Sequence, residues 1–137
     1  MYKKTLYIPV GITGQGKTTY GNKITLKDDS VKMISPETVK NLISSDATTE
    51  DIFEVMRQEA VKELQRGFSV FFDASNLKQK YREEVIKSVG LNAEYIVGVY
   101  FPATRDVEVS EDDVDAMMNS LEKISFEEGF NSIWTVY

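Results

Sequence analysis

The stretch GITGQGKTTYGN, residues 11–22, follows directly on the apolar, strand-like run TLYIPV. Its spacing of Gly11, Gly16, Lys17 and Thr18 fits the pattern G-x-x-x-x-G-K-[ST], in which backbone N–H groups wrap the phosphates of a nucleotide. Glycine permits positive φ and lets phosphate oxygens come close to the main chain. A helix that begins after the loop directs its N-terminal N–H groups at the anion. We therefore expect a phosphate-binding loop between a strand and a helix.

Each residue type in this loop suits one task. Lys17 is expected to reach the β- and γ-phosphates, and the hydroxyl of Thr18 to ligate the Mg²⁺ that bridges them. The nucleotide-binding set comprises Gly11, Thr13, Gly14, Gln15, Gly16, Lys17, Thr18 and Thr19. The simpler alternative is a glycine-rich turn that leaves Lys17 in solvent. The strand-like run before the loop and the helix-compatible sequence after it favour phosphate binding.

The composition limits the chemistry that the chain can perform. Its 137 residues predict a single domain, residues 1–137, with its own core. The absence of cysteine and histidine excludes disulfides and thiol catalysis, so proton transfer must use a carboxylate, lysine or tyrosine. A net charge of −6 argues against a broad basic nucleic-acid surface. Since no apolar run approaches the roughly 20 residues of a membrane span, we expect a cytoplasmic protein without membrane contact.

Short apolar runs alternate with amphipathic patterns along the chain. The strand-like runs are TLYIPV (5–10), VKMIS (31–35), FSVFFD (68–73), EYIVGVYF (94–101) and SIWTV (132–136). Helices are predicted after the loop, from Ser35, from Thr48 or Thr49 to Gly67, over about 79 to 88, and from Ser110. Strands that are apolar on both faces are typical of a covered parallel sheet. The sequence therefore predicts an α/β fold with a five-stranded parallel sheet and helices on both faces.

The segment ISPETVKNLI, residues 34–43, offers a carboxylate near the phosphates. Ser35 suits an N-cap and Pro36 the first helical position, while Glu37 and Lys40 share a helix face at i and i+3. This helix would begin at the carboxyl edge of the sheet, where ligands bind in such folds. The alternative is that Glu37 and Lys40 form a weak surface salt bridge.

The third strand-like run ends in FFDASN, which places Asp73 at a strand's carboxyl end. Phosphate-loop proteins hold a second Mg²⁺ ligand at this position. Alternatively, Asp73 or Asn76 caps the next helix. Arg82 follows on that helix, where a lone arginine on a polar face is ordinarily a solvated charge.

The order of these elements resembles the phage-type 5′-hydroxyl polynucleotide kinases and the wider P-loop kinase family, over nearly the whole chain. Its most specific parts are the glycine-rich loop, the D-A-[ST]-N-L element at 73–77 with Arg82, and EEGF at 127–130. The resemblance implies a P-loop NTPase-like parallel sheet and the cofactors ATP and Mg²⁺. It also implies transfer of the γ-phosphoryl group of ATP to the 5′-hydroxyl of a polynucleotide.

The same resemblance assigns acceptor residues. In the family pattern S-P-D-x-x-R the aspartate is the general base and the arginine contacts the substrate phosphate, and these positions are Glu37 and Lys40 here. Glutamate adds one methylene, and lysine loses the two-pronged grip of a guanidinium. Arg82 completes the implied substrate-binding set. Where the family has a longer arginine-bearing lid, this chain has a short segment that offers Arg105.

These patterns together predict an ATP-dependent kinase in which Lys17, Glu37, Asp73 and Arg105 are catalytic and Thr18 and Asp73 hold the metal. The acceptor is expected to be a nucleic-acid 5′ end or a small hydroxylated molecule. One alternative is a non-catalytic nucleotide-binding module that has lost its lid and acts through a partner. Another is a small-metabolite kinase, which an acidic surface would suit. The sequence leaves open whether the chain forms a homo-oligomer. If the protein is phage-encoded, we expect it in the host cytoplasm.

Overall fold

A single parallel sheet forms the centre of the molecule. The computed structural model describes residues 3–11, 16–74, 78–101 and 124–136. The strands are β1 (Thr5–Val10), β2 (Val31–Ile34), β3 (Ser69–Phe72), β4 (Tyr95–Tyr100) and β5 (Ser132–Thr135). They pair in parallel in the order β2-β3-β1-β4-β5. The predicted five-stranded parallel sheet is thereby confirmed, with each strand within one or two residues of its predicted run.

Four α-helices connect the strands in the described part of the chain. They are α1 (Lys17–Lys27), α2 (Pro36–Val39), α3 (Thr49–Gln65) and α4 (Gln79–Ser88). Short 3-10 turns lie at Lys40–Leu42, Gly90–Asn92 and Phe126–Glu128. As predicted, α3 begins at an N-cap Thr48, whose hydroxyl accepts from the Asp51 N–H at 3.1 Å. The helix predicted from Ser110 lies outside the residues that the structure describes.

Neighbouring phenylalanines of β3 show that helices cover both faces of the sheet. Successive side chains of a strand point to opposite faces. The ring of Phe71 packs against Tyr20 of α1, with 6.2 Å between ring centroids. Phe72 belongs instead to the core that the buried residues Met56 of α3 and Val85 of α4 form with β1 and β3. Helix α1 therefore covers one face, and α3 and α4 cover the other.

Backbone hydrogen bonds join the strands at their carboxyl ends, where the predicted site residues lie. The Asp73 N–H donates to the carbonyl of Ile34 at 2.7 Å, and the Phe101 N–H donates to that of Val10 at 2.9 Å. A Cβ at Gly11 would lie 3.0 Å from both the Cβ and the carbonyl oxygen of Phe101, so glycine permits this close approach. The end of β1, from which the glycine-rich loop departs, is thus fixed against β4.

None of the helices in the described ranges has the length and apolar character required to cross a membrane.

Candidate functional site

Helix α1 begins where the glycine-rich motif predicts it. Gly16 adopts a left-handed conformation with φ of +87°, which only glycine takes at no steric cost. Lys17 is the first residue of the helix, and the Tyr20 N–H donates to the Gly16 carbonyl at 2.9 Å. The N–H groups of the first turn have no partner within the helix, and they point out of its N-terminus. The start of α1 is therefore suited to an anion.

The motif threonine contacts the aspartate at the end of β3. The Thr18 hydroxyl donates a hydrogen bond to Asp73 Oδ2 over 2.8 Å. Asp73 is buried, and its own N–H is held by the carbonyl of Ile34. Two residues that the sequence assigns to Mg²⁺ are thus adjacent, although they lie 55 positions apart in the chain.

Lys17 is buried next to this pair, with 8% of the residue exposed. Burial lowers the pKa of its ammonium group, because the charged form loses solvation, while the nearby carboxylate of Asp73 acts in the opposite direction. The interpretation of Lys17 as a solvated charge beside a simple turn is therefore wrong. A bound polyphosphate would place further negative charge beside this ammonium group.

The donor set suits Mg²⁺, which takes oxygen ligands and is commonly bound by one or two protein groups together with substrate phosphates and water. Thr18 supplies a hydroxyl oxygen and Asp73 a carboxylate oxygen, already within 2.8 Å of each other. Within the described ranges there is no cluster of three or more acidic or other metal-binding side chains. A nucleotide and water are the usual sources of the remaining oxygens around Mg²⁺.

Glu37 and Lys40 lie at the same edge of the sheet, but at the surface. Ile34, which ends β2 three residues before Glu37, accepts the hydrogen bond from Asp73. Ser35 caps α2 through a reciprocal capping box with Thr38. The side chains of Glu37 and Lys40 are 77% and 59% exposed, and they form an ion pair with each other. The surface salt bridge proposed as an alternative is present, and the assignment of these residues to the acceptor stays a prediction.

Arg82 is not a solvated charge. Its side chain and that of Glu128 are both fully buried, and its Nε donates to Glu128 Oε1 at 2.5 Å. Glu128 Oε2 accepts the N–H of Ser125 at 2.7 Å, so both carboxylate oxygens have partners. The simple interpretation from the sequence is therefore wrong for Arg82, and its assignment to the substrate remains a prediction. Glu128 belongs to the EEGF motif, but the sequence does not predict that Glu128 pairs with Arg82.

Four of the predicted site residues lie outside the described ranges: Thr13, Gly14 and Gln15 of the loop, and the lid residue Arg105. Thr19 is exposed on the first turn of α1, beside Thr18. The described part of the chain thus brings together Gly16, Lys17, Thr18 and Asp73 at the start of α1.

Similarity to known proteins is found in structure and not in sequence. No protein-family model matches the chain, and no curated protein matches it either. A fungal RNA kinase matches with a TM-score of 0.72 at 15% identity, over 100% of this chain and 76% of that one. A gluconokinase from Sinorhizobium meliloti 1021 matches with a TM-score of 0.60 at 16% identity, over 99% and 83% of the two chains. Kti12 from Chaetomium thermophilum, in complex with ADP-AlF3, matches with a TM-score of 0.66 at 13% identity, over 96% of this chain and 88% of that one.

At these identities the similarity concerns the fold. The chain has the P-loop kinase-like α/β fold that its strand order and glycine-rich loop predict. The names of these three structures differ in the molecule they mention: RNA in the first, gluconate in the second, and ADP-AlF3 in the third. The finer resemblance to phage-type 5′-hydroxyl polynucleotide kinases therefore stays a prediction.

Proposed function

We propose that the protein is an ATP-dependent kinase that transfers the γ-phosphoryl group to a hydroxyl acceptor, with the 5′-hydroxyl of a polynucleotide as the preferred class. The observation that carries this proposal is the hydrogen bond between Thr18 and Asp73 beside the buried Lys17. A structural glycine turn does not require a buried ammonium group, a hydroxyl and a carboxylate at one helix start. Binding of ATP and Mg²⁺ makes use of all three groups.

In the proposed reaction, Lys17 and the N–H groups at the start of α1 hold the β- and γ-phosphates. Thr18 and Asp73 hold Mg²⁺, which when bound offsets phosphate charge. The acceptor oxygen forms a bond to the γ-phosphorus as the bond from that phosphorus to the β,γ-bridging oxygen breaks, and ADP leaves. The hydroxyl proton passes to the carboxylate of Glu37.

The acceptor assignment rests on the segment around α2. Glu37 and Lys40 occupy the positions that the polynucleotide kinase pattern gives to its base and its phosphate ligand, and both side chains are accessible. The net charge of −6 and the similarity to a gluconokinase favour a small hydroxylated metabolite instead. A binding module without transferase activity is the third candidate, because the segment that replaces the family lid is short.

One labelling experiment separates these three functions. The protein is incubated with γ-labelled ATP, Mg²⁺ and separate acceptors: 5′-hydroxyl DNA, 5′-hydroxyl RNA, nucleosides and gluconate. ATP binding is measured in parallel by titration calorimetry. Label in the oligonucleotides supports the proposed function, label in gluconate alone supports the metabolite kinase, and ATP binding without transfer supports the module.

Two variants serve as controls in the same assay. Lys17→Ala should abolish ATP binding while the fold is kept, since the lysine belongs to the phosphate site and not to the apolar core. Arg105→Ala should lower the transfer rate by roughly 10³-fold or more without loss of ADP binding if this arginine neutralises the transferring group. Equal ATP binding by wild type and Lys17→Ala would reject a nucleotide function for the loop.

A further inference from the structure

A small cavity lies between α3 and α4 at the carboxyl edge of the sheet. It has a volume of about 40 Å³ and is lined by Phe53, Arg57, Phe72, Tyr81 and Val85. Three of its five lining side chains are aromatic, and a fourth carries the planar guanidinium group of arginine. Tyr81, which lines the cavity, is 45% exposed. Aromatic and guanidinium planes are therefore concentrated at one accessible position.

This position lies next to the proposed reaction centre. Phe72, which lines the cavity, directly precedes Asp73, the acceptor of the Thr18 hydrogen bond. Tyr81 lies in the first turn of α4 and Phe53 in the first turns of α3, and both helices begin at the same edge as Asp73. We expect an acceptor whose hydroxyl reaches this edge to approach the start of α4, where Tyr81 lies.

The cavity itself is too small for a nucleobase, since one water molecule in the liquid already occupies about 30 Å³. The surface available to a planar group is therefore the exposed ring of Tyr81, which lines the cavity together with Phe53 and Arg57. Arg57 is paired with Glu54, whose Oε2 accepts from the guanidinium at 2.8 Å. Stacking on a tyrosine ring accepts every base, because each base has a π-face.

We propose that Tyr81, at the edge of the aromatic-lined cavity, is the stacking platform for the 5′-terminal nucleobase of the acceptor. The proposal rests on the proposed kinase function and adds the part of the substrate that is recognised. A linear sugar acid has no aromatic ring to stack on this surface, so the platform favours a nucleotide acceptor over gluconate.

The test compares two oligonucleotides that differ by one base. Both carry a 5′-hydroxyl, but one has an ordinary 5′-terminal nucleotide and the other a base-free tetrahydrofuran residue there, in DNA and in RNA versions. Wild type should prefer the base-bearing acceptor by about 5- to 150-fold in kcat/KM, the range expected for one stacked base. Tyr81→Ala should remove this preference, Tyr81→Phe should keep it, and Tyr81→Leu should lose it although the apolar bulk is retained.

Trp134→Ala is the matched control, because Trp134 is 43% exposed and packs on Tyr7, on the face of the sheet opposite to Phe72. It should leave the base preference unchanged. Equal use of both oligonucleotides by wild type, or an unchanged preference in Tyr81→Ala, would overturn the platform. If no acceptor is phosphorylated, the kinase proposal fails, and fluorescence anisotropy with the same two oligonucleotides still decides the platform through the base dependence of Kd.

Discussion

The hydroxyl of Thr18 donates to the carboxylate of Asp73 over 2.8 Å, and this bond joins the first turn of α1 to the end of β3. The strands that precede these two residues, β1 and β3, are neighbours in the sheet, and Leu6 pairs with Val70. Parallel pairing brings the carboxyl ends of both strands to one edge, and the two oxygens meet there. A metal ion held by both oxygens would take the place of this hydrogen bond, with the threonine binding as a neutral hydroxyl.

Removal of the Asp73 charge should therefore impair metal use and leave the fold intact. Asp73→Asn keeps an acceptor for the Thr18 hydroxyl but not the carboxylate that Mg²⁺ prefers. Mg²⁺ raises ATP affinity by some factor in wild type, and we expect this factor to be roughly 10- to 100-fold smaller in Asp73→Asn, a loss typical of disturbed metal sites. Calorimetric titration with and without Mg²⁺ measures the factor, and Thr18→Ser is the control that retains the hydroxyl. An identical Mg²⁺ dependence in wild type and Asp73→Asn would contradict the assignment.

Burial of Lys17 predicts proton uptake on ATP binding. In the free protein the pKa of this ammonium group is lowered by burial, so it releases its proton at a pH below its usual value of about 10.4. Bound phosphates favour the charged form and raise the pKa again. Between the two pKa values the free protein is neutral at Lys17 and the complex is charged, so binding takes up a proton.

Calorimetry in buffers of different ionisation enthalpy should therefore show greater proton uptake at pH 9 than at pH 7, and a weaker ATP affinity at pH 9. In Lys17→Arg the guanidinium stays charged at both values, so the difference between the two pH values should vanish. If wild type takes up no more protons than Lys17→Arg at either pH, the pKa of Lys17 is not lowered.

The strands and the start of the site follow from local patterns. Runs that are apolar on both faces predict strands of a covered sheet, and the glycine-rich motif fixes the position of Gly16 and Lys17. The segment after β2 was less predictable, because α2 ends after four residues and continues as a 3-10 turn. Beyond it, the Ala47 N–H donates to the carbonyl of Ser44 at 3.1 Å, and Ser44 also pairs with Asp46. Such local polar bonds compete with a longer helix.

Long-range polar pairs leave no signal in periodicity. Arg82 and Glu128 are 46 positions apart, and each belongs to a segment that looks polar on its own. The local pattern of α4 therefore favours a solvated arginine, and the family resemblance assigns Arg82 to the substrate, whereas folding brings Arg82 and Glu128 together in the interior. Only knowledge of how α4 packs on the turn before β5 identifies this pair.

The exposed position of Glu37 allows its chemical role to be separated from any structural one. Its ion pair with Lys40 lies at the surface, where such pairs contribute about 0 to 1 kcal/mol. Glu37→Gln should therefore change the free energy of unfolding by less than about 1 kcal/mol while it lowers phosphoryl transfer by roughly 10²- to 10⁴-fold, with ATP affinity retained. Urea unfolding, calorimetry and the label-transfer assay measure the three quantities.

Glu37→Asp, which keeps a carboxylate, serves as the partner variant and should retain transfer. If wild type and Glu37→Gln transfer the label equally well, the residue is only a member of a surface ion pair.

The buried pair of Arg82 and Glu128 should behave differently from a surface pair. Loss of one member takes the ion-pair partner from the other in the interior, so Arg82→Met and Glu128→Gln should each cost about 3 to 5 kcal/mol of stability. The double variant should be more stable than the sum of the single losses predicts, since it buries no lone charge, and the amide oxygen introduced by Glu128→Gln can still accept the N–H of Ser125. Urea unfolding of all four proteins gives the coupling energy.

Glu59 and Lys62, an exposed i,i+3 pair on α3, provide the control cycle, in which the coupling should stay below about 0.5 kcal/mol. Kinetics of the folded double variant then separate two roles for Arg82. If the arginine only ties α4 to the turn before β5, the double variant keeps its acceptor kcat/KM. If Arg82 contacts the substrate phosphate, acceptor kcat/KM falls although ATP affinity is retained. If the stability losses of Arg82→Met and Glu128→Gln simply add in the double variant, the two residues are not coupled, and the prediction is contradicted.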